Sequence, residues 1–323
     1  MGFLMLDNIA HINDDIHQKH KATEIYENDV LLNITGASIG RTAVATKELE
    51  GGNVNQHVCI IRTNSKVNPK FLCDYIQTQR IQNHIKSLQT GGSREGLNFE
   101  QIRSFPISLP SINEQNKLTC LLDKINERIA TQVRLIDRLQ SLMIGIRHRI
   151  INEAKGKIVC LCEVSDIYQP QTISSADLTE TGYPVYGANG IIGHYTSYNH
   201  EAEQVCITCR GNTCGGVNYT KSKSWITGNA MVVNVDRYQN IVSKRYLYHY
   251  LSNCDFNSII SGSGQPQIVR APLAKFKIIL PTVMQQYKIA HCLDVIQNKI
   301  NVNSNILNLL IRQKQYLLRK MFI

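Results

Sequence analysis

The sequence predicts an α+β protein: two globular domains separated by two long helices that form an antiparallel coiled coil, with an internal two-fold repeat. Three observations lead there. Residues 118–150 and 289–321 carry the same apolar stripe, 171 positions apart. Each stripe follows a Leu-Pro pair, Leu109-Pro110 and Leu280-Pro281, at the same interval. Further upstream, a glycine-rich turn after an apolar run also occurs twice, at Gly36-Ala37-Ser38-Ile39-Gly40 and at Arg210-Gly211-Asn212-Thr213.

The first stripe runs Leu118, Leu122, Ile125, Ile129, Gln132, Ile136, Leu139, Met143, Ile146, Ile150, and the second Ile289, Leu293, Ile296, Ile300, Asn303, Leu307, Leu310, Lys314, Leu317, Met321. Steps of four and three alternate throughout, which is the 3.5-residue period of a coiled-coil seam. The polar members Gln132 and Asn303 occupy the same place in each copy. A polar residue in a seam costs stability and restricts register, so these two are expected to pair and fix the alignment. Lys314 reads as a local irregularity of the seam that turns toward solvent.

Each unit has the same order of elements. A strand at 30–35 or 205–208 opens on the glycine turn, and a second strand follows at 57–62 or 230–235. An amphipathic helix then contains residues 71–75 in one copy and 246–250 in the other, now 175 apart. A second glycine-rich loop comes next, Gly91-Gly92-Ser93-Arg94 or Ser261-Gly262-Ser263-Gly264. A short strand ends at each Leu-Pro pair, because proline lacks the N–H for a ladder and disfavours helix in the residue before it. Ser111 and Thr282 stand where N-caps are wanted, close to Glu114 and Gln285.

The change of offset places the length differences in loops, where modules on one scaffold diverge. About 47 residues precede the Val205 strand in the second unit and 29 precede Val30, so the first unit reads as shortened at its front edge. Gly156, in the joint Glu153-Ala154-Lys155-Gly156-Lys157, suits a helix C-cap. The resulting division is a first domain at 1–110, a helix at 111–155, a second domain at 156–281 and a second helix at 282–323.

A net charge of +10 and a pI near 9.1 point to a polyanionic partner, most simply nucleic acid. There is neither a basic leader nor a run of about 18 apolar residues, so a cytoplasmic location is expected. The ten cysteines are then reduced thiols. Cys206-x-x-Cys209 with Cys214 has a zinc-like look, but the repeat lays these residues over Leu31, Ile34 and Ile39. Thiols in aliphatic positions are core packing, and no metal site is expected.

No Gly-x-x-x-x-Gly-Lys-Ser/Thr loop, no dinucleotide-type glycine motif and no Asn/Asp-Pro-Pro-aromatic loop is present, so no catalytic residue is assigned. Glu153-x-Lys155 echoes a nuclease motif but lacks a companion acid.

The glycine turn Thr35-Gly36-Ala37-Ser38-Ile39-Gly40, the junction Leu109-Pro110…Glu114-Gln115, the heptad helix and a second copy of all three resemble the specificity subunit of type I restriction-modification systems. The resemblance spans essentially the whole chain. Two departures are the missing front of the first target-recognition domain and Gln285-Gln286 in place of Glu-Gln. The resemblance implies a non-catalytic subunit whose two domains each read half of a split site in double-stranded DNA. It also implies two modification subunits that methylate adenine with S-adenosylmethionine, and restriction subunits that use ATP and Mg, all these cofactors lying on partner chains.

Reading bases requires side chains that reach their edges, with arginine or lysine to guanine and asparagine or glutamine to adenine. In the second unit the candidates are Arg210, Asn212, Lys221, Lys223, Gln265, Gln267 and Arg270; in the first they are Ser38, Arg41, Ser93, Arg94 and Asn98. Trp225, Tyr195 and Tyr198 are assigned to packing rather than to base stacking. A 33-residue helix is roughly 50 Å long at about 1.5 Å per residue. That suffices to set two modules about one duplex turn, ~34–36 Å, apart. The rival reading is a remnant whose helices bind modification subunits or another copy without reading DNA.

Overall fold

The computed structural model describes residues 9–89, 96–188, 190–262 and 264–322. The chain divides into two units, Met1–Arg134 with Ser304–Ile323, and Leu135–Asn303. Both long helices therefore contribute one half to each unit.

In the first unit, α1 (Asp14–Lys19) precedes β1 (Val30–Asn33), β2 (Thr42–Val44) and β3 (Val58–Ile61). These strands form an antiparallel sheet in the order β2-β1-β3. Then come α2 (Pro69–Ile76), α3 (Gln79–Gln89), α4 (Phe99–Arg103) and the long α5 (Ile112–Glu153). Asn68 caps α2 through its side chain, and Pro69 occupies the first turn, where a missing N–H does no harm. Phe71, Tyr75 and Ile76 of α2 pack with Val30 and Leu32 of β1 to form the core.

The second unit adds β4 (Lys157–Cys160), α6 (Leu161–Val164), β5 (Asp166–Tyr168), β6 (Tyr183–Gly187) and β7 (Gly190–Tyr195) before the repeated part begins. There follow β8 (Val205–Thr208), β9 (Val217–Tyr219), β10 (Trp225–Ile226), β11 (Ala230–Asn234), α7 (Lys244–Leu251), β12 (Ile260–Ser261), β13 (Gln267–Ile268), α8 (Arg270–Ala274), β14 (Lys277–Leu280) and α9 (Val283–Met321). The main sheet has the order β5-β11-β8-β9; smaller sheets are β10-β6-β7, β12-β13 and β14-β4. Strand alternation divides β8 between two cores. Val205 and Ile207 face the main core, whereas Cys206 faces Tyr186, Ile226 and Val232. Cys209 lies in the main core, so Cys206 and Cys209 do not converge on one point. Burial pushes the Cys206 thiol up to about 12.

Every position of both predicted stripes is buried or half-buried. The antiparallel sense is visible inside each unit. In the first, Leu118 and Leu122 from the start of α5 share a core with Leu317, Met321 and Phe322 from the end of the chain. In the second, Leu139, Met143 and Ile146 of α5 pack with Ile289, Leu293, Ile296 and Ile300 of α9. Asn303 is buried, and its amide donates to the Lys299 carbonyl one turn back. Leu122, Ile125 and Ile136 are buried; Ile129, Gln132, Leu307 and Leu310 are half-buried.

Three expectations need correction. Lys314 does not turn toward solvent: it is 9 % exposed, and the acids acting on it are Asp74 and Asp123. Burial lowers its pKa, and those carboxylates oppose the shift. Residues 105–109 form no strand, because among the described residues none lies beside them to pair with. Their counterpart β14 pairs with β4. Gly156 is not a left-handed C-cap. A Cβ there would come within 2.4 Å of the Leu280 carbonyl, so glycine is required by close approach.

The position before the long helix's partner residue differs between units. Asp74 of α2 is buried, and desolvation raises its pKa to about 6 against the opposing pull of Lys314. Its counterpart in α7 is His249, whose Nε2–H donates to Asp294 at 2.7 Å. Burial lowers the His249 pKa to about 4, although Asp294 acts the other way. Arg245 also pairs with Asp294, and burial opposes the hydrogen bonds that hold this carboxyl below its ordinary value.

Candidate nucleic-acid interface

The two glycine-rich loops of the second unit lie side by side. Gly211 has φ +83°, the left-handed region that disfavours side chains, and its N–H donates to the Pro266 carbonyl at 3.0 Å. Arg210 bridges Gln267 in antiparallel fashion, and Ile268 N–H donates to Cys209 O at 3.1 Å. The turn before β11 joins them, since Cys209 N–H donates to Asn229 O. An open cleft of about 470 Å³ results, lined by Ala188, Arg210, Gly211, Asn229, Gln265 and Gln267. Arg210, Asn229 and Gln265 are exposed, and Gln267 is half-buried. A guanidinium and three carboxamides in one cleft are the groups that read guanine and adenine edges.

The first unit builds the same frame with other side chains. Leu97 N–H donates to Ile34 O, Thr35 bridges Gly96, and Ile34 N–H donates to His57 O. Thr35 thus stands where Arg210 does, His57 where Asn229 does, and Gly96 where Gln267 does. Thr35 Oγ1 and His57 Nδ1 are 2.6 Å apart. Asn229, Thr35 and His57 escaped the sequence reading. The signal was available in the repeat, since Asn229 and His57 each immediately precede the strand paired to β8 or β1.

Other candidates are dispersed. Arg270 opens α8 and lines a different cleft, with Asp166, Asp236 and Arg237. Lys221 and Lys223 are exposed on the β9–β10 connection, where Lys223 has φ +49° and stands 3.9 Å from Glu201. Asn212 is exposed beside Gly211. In the first unit Arg41 is exposed at the start of β2, whereas the Ser38 hydroxyl accepts from Asn33 at 2.7 Å. Asn98 is a helix cap: it accepts from Gln101 N–H, and the Gln101 side chain accepts from Asn98 N–H. Ser93 and Arg94 lie outside the described residues. Tyr195 packs edge-on to Trp225 at 5.2 Å, and Tyr198 likewise to Tyr183. Among the described residues no three His, Cys, Asp or Glu side chains are grouped to hold a metal ion, and no helix is long and apolar enough to cross a membrane.

The sequence matches the family model of the type I restriction modification DNA specificity domain over two stretches, residues 6–141 and 154–312. The chain belongs to that family. It is 31% identical over 148 residues to the EcoprrI specificity subunit of a type I restriction enzyme from Escherichia coli. That alignment covers 44% of this chain and 36% of the relative, so the chain spans about a third of that protein's length. Among solved structures, the S subunit of a type I restriction-modification system from M. genitalium superimposes with TM-score 0.67 at 17% identity, over 93% of this chain and 84% of that one. A chain from a solved type I system, described for complex assembly and conformational transition, gives TM-score 0.59 at 20% identity over 93% and 82%. At those identities the likeness is one of fold.

Proposed function

We propose that the chain is the DNA sequence-recognition subunit of a type I restriction-modification complex. Each unit reads one half of a bipartite site in double-stranded DNA, and the long helices set the gap between the halves. The observation that carries this reading is one backbone frame presenting two unlike sets of side chains. Arg210, Asn229, Gln265 and Gln267 line it in one unit; Thr35, His57 and Gly96 take the equivalent places in the other. A shared frame with different tips is what two readers of different sequences need, because phosphate contacts position a module while base contacts specify.

In this reading the subunit has no catalytic residue of its own. Two modification subunits carry S-adenosylmethionine and methylate adenine, and restriction subunits carry ATP and Mg, all in the cytoplasm. Arg210, Asn212, Lys221, Lys223, Gln265, Gln267 and Arg270 serve the second half-site, and Ser38, Arg41, Ser93 and Arg94 serve the first. Asn98 supports its loop as a cap. The division into domains at 1–110 and 156–281 with helices at 111–155 and 282–323 belongs to the same proposal.

The test is to map methylated adenines in cells holding the cognate methyltransferase chain, with and without this gene. A split motif that appears only with the gene, and whose second half changes in an Arg210→Gln variant, supports the reading. Identical methylation in both strains rejects it and leaves the coiled-coil scaffold as the surviving alternative.

A further inference from the structure

The hairpin of β6 and β7 presents two neighbouring isoleucines to water. Ile191 and Ile192 are 47 % and 48 % exposed, and among the described residues no other two large hydrophobic side chains adjacent in sequence are both exposed. Aliphatic side chains scattered singly over a surface need no explanation. A pair held in a fixed place beside a polar cleft does.

The backbone fixes the pair. The ladder runs from Val185 opposite Gly193 to Tyr186 opposite Ile191, so Ile192 is the extra residue of a bulge. Bulges re-aim side chains beside functional sites. Gly187 and Gly190 face each other where the two strands end, and Gly190 has φ +83°. A Cβ on Gly187 would stand 2.9 Å from Ile192 Cγ2, so the bare glycine makes room for that side chain.

The hairpin is fastened to both sides of the candidate base-reading cleft. Ala188, next to Gly187, lines that cleft with Arg210, Asn229, Gln265 and Gln267. The Thr208 hydroxyl, two residues before Arg210, donates to Ala188 O. Thr227 N–H, two residues before Asn229, donates to Tyr186 O at 2.9 Å. Trp225 and Ile226 also pair in parallel with Val185 and Tyr186 of β6.

We propose that Ile191 and Ile192 contact the 5-methyl group of a thymine in the second half-site, beside the purine that the cleft reads. The inference rests on the DNA-reading role proposed above and names a base within it. In the major groove an A·T pair shows adenine N7 and its N6 amine next to the thymine methyl. A carboxamide answers the adenine edge, and an aliphatic side chain answers the methyl. The second unit sets these two kinds of group next to one another, on a cleft and on the hairpin fastened to it. Cytosine in that place offers no methyl and brings an amine to an apolar contact, which disfavours it.

The first unit has no such hairpin among the described residues, where its sheet is β2-β1-β3 alone. Thr35, His57 and Gly96 hold the matching frame there without it. The methyl requirement is thus assigned to the second half-site alone.

The test is competition binding by the full chain assembled with its methyltransferase chain, on duplexes carrying the mapped split motif. Deoxyuridine replaces each thymine of the second half-site in turn, which removes the methyl and keeps every hydrogen bond of the pair. At one position or more, affinity should fall about fourfold, the worth of one buried methyl. An Ile191→Ala, Ile192→Ala chain should bind the thymine and deoxyuridine duplexes equally at that position, while deoxyuridine in the first half-site affects both chains alike. Should the double variant fold poorly, the two single variants carry the same comparison. Unchanged affinity for deoxyuridine throughout the second half-site overturns the proposal, as does a second half-site without an A·T pair. An equal loss in the unaltered and variant chains overturns it too, because another group then touches the methyl. A chain that binds the motif but ignores the methyl leaves the DNA-reading role standing, whereas one that binds no motif overturns both.

Discussion

Gln115 and Gln286 hold the same three backbone groups in their respective units. Gln115 Oε1 accepts from Asn68 N–H at 2.9 Å, and its Nε2 donates to Lys66 O at 3.0 Å and Pro110 O at 2.9 Å. Gln286 Oε1 accepts from Ser243 N–H at 2.7 Å, and its Nε2 donates to Ile241 O and Pro281 O at 2.9 Å each. Both side chains are fully buried. Asn68 and Ser243 are the caps of α2 and α7, so each glutamine ties the start of a module helix to the start of a long helix. The Leu-Pro…Gln motif is a junction that ties each module to the start of its long helix.

Replacing either glutamine with leucine orphans one backbone N–H and two backbone carbonyls, some of which still reach water. Each substitution should cost its own unit about 2–4 kcal/mol, given ~1–3 kcal/mol per unsatisfied group. Urea unfolding followed by exchange of α2 and α7 amides measures this, with Gln115→Leu weakening α2 and Gln286→Leu weakening α7. Equal loss in both helices from one substitution would contradict the local assignment.

Acid should push the two units in opposite directions. Burial raises Asp74 to about 6, above its unfolded value, so its contribution is present at low pH and is lost as pH rises through about 6. Burial lowers His249 to about 4, below its unfolded value, so the unfolded state takes up the proton first and stability falls as pH drops from 6.5 toward 4. Between pH 7 and 5 each effect is on the order of 1 kcal/mol. The check is the difference between the unaltered chain and Asp74→Asn for α2, and between it and His249→Asn for α7. Trends of the same sign would show that burial does not govern both groups.

Arg210→Ala and Gln267→Ala should each weaken binding to the second half-site by roughly 10-fold or more, at ~1–3 kcal/mol per base-edge pair, without altering preference at the first. Asn98→Ala should instead lower stability by about 1 kcal/mol through loss of a cap, with base preference unchanged. Competition binding with duplexes altered in one half-site separates the two behaviours, alongside thermal melts.

Much of this fold was legible from period and repeat. The alternation of steps of four and three identified the seam, and all its positions are withdrawn from solvent because a 3.5-residue period keeps them on one face. Ser111 and Thr282 were legible as cap positions although the prolines before them blur the exact cap, and Glu114 and Gln285 close both boxes. Lys314 was misread because a seam lysine looks like an exit to solvent until α2 is known to set a buried carboxylate against it. Asn98, expected to face bases, is also a helix cap; asparagine suits either place, and only the fold shows Gln101 answering it. Asn229 and His57 were missed because they flank strands rather than glycine loops, and strand register alone brings them to the cleft.

The most direct test of the central claim is to remove one heptad from each helix together, residues 133–139 and 304–310, and map the methylated bipartite sites. Each deletion shortens its helix by about 10 Å at ~1.5 Å per residue. The account predicts a shorter gap between half-sites with both half-site sequences kept. Altered half-site bases at an unchanged gap would contradict it.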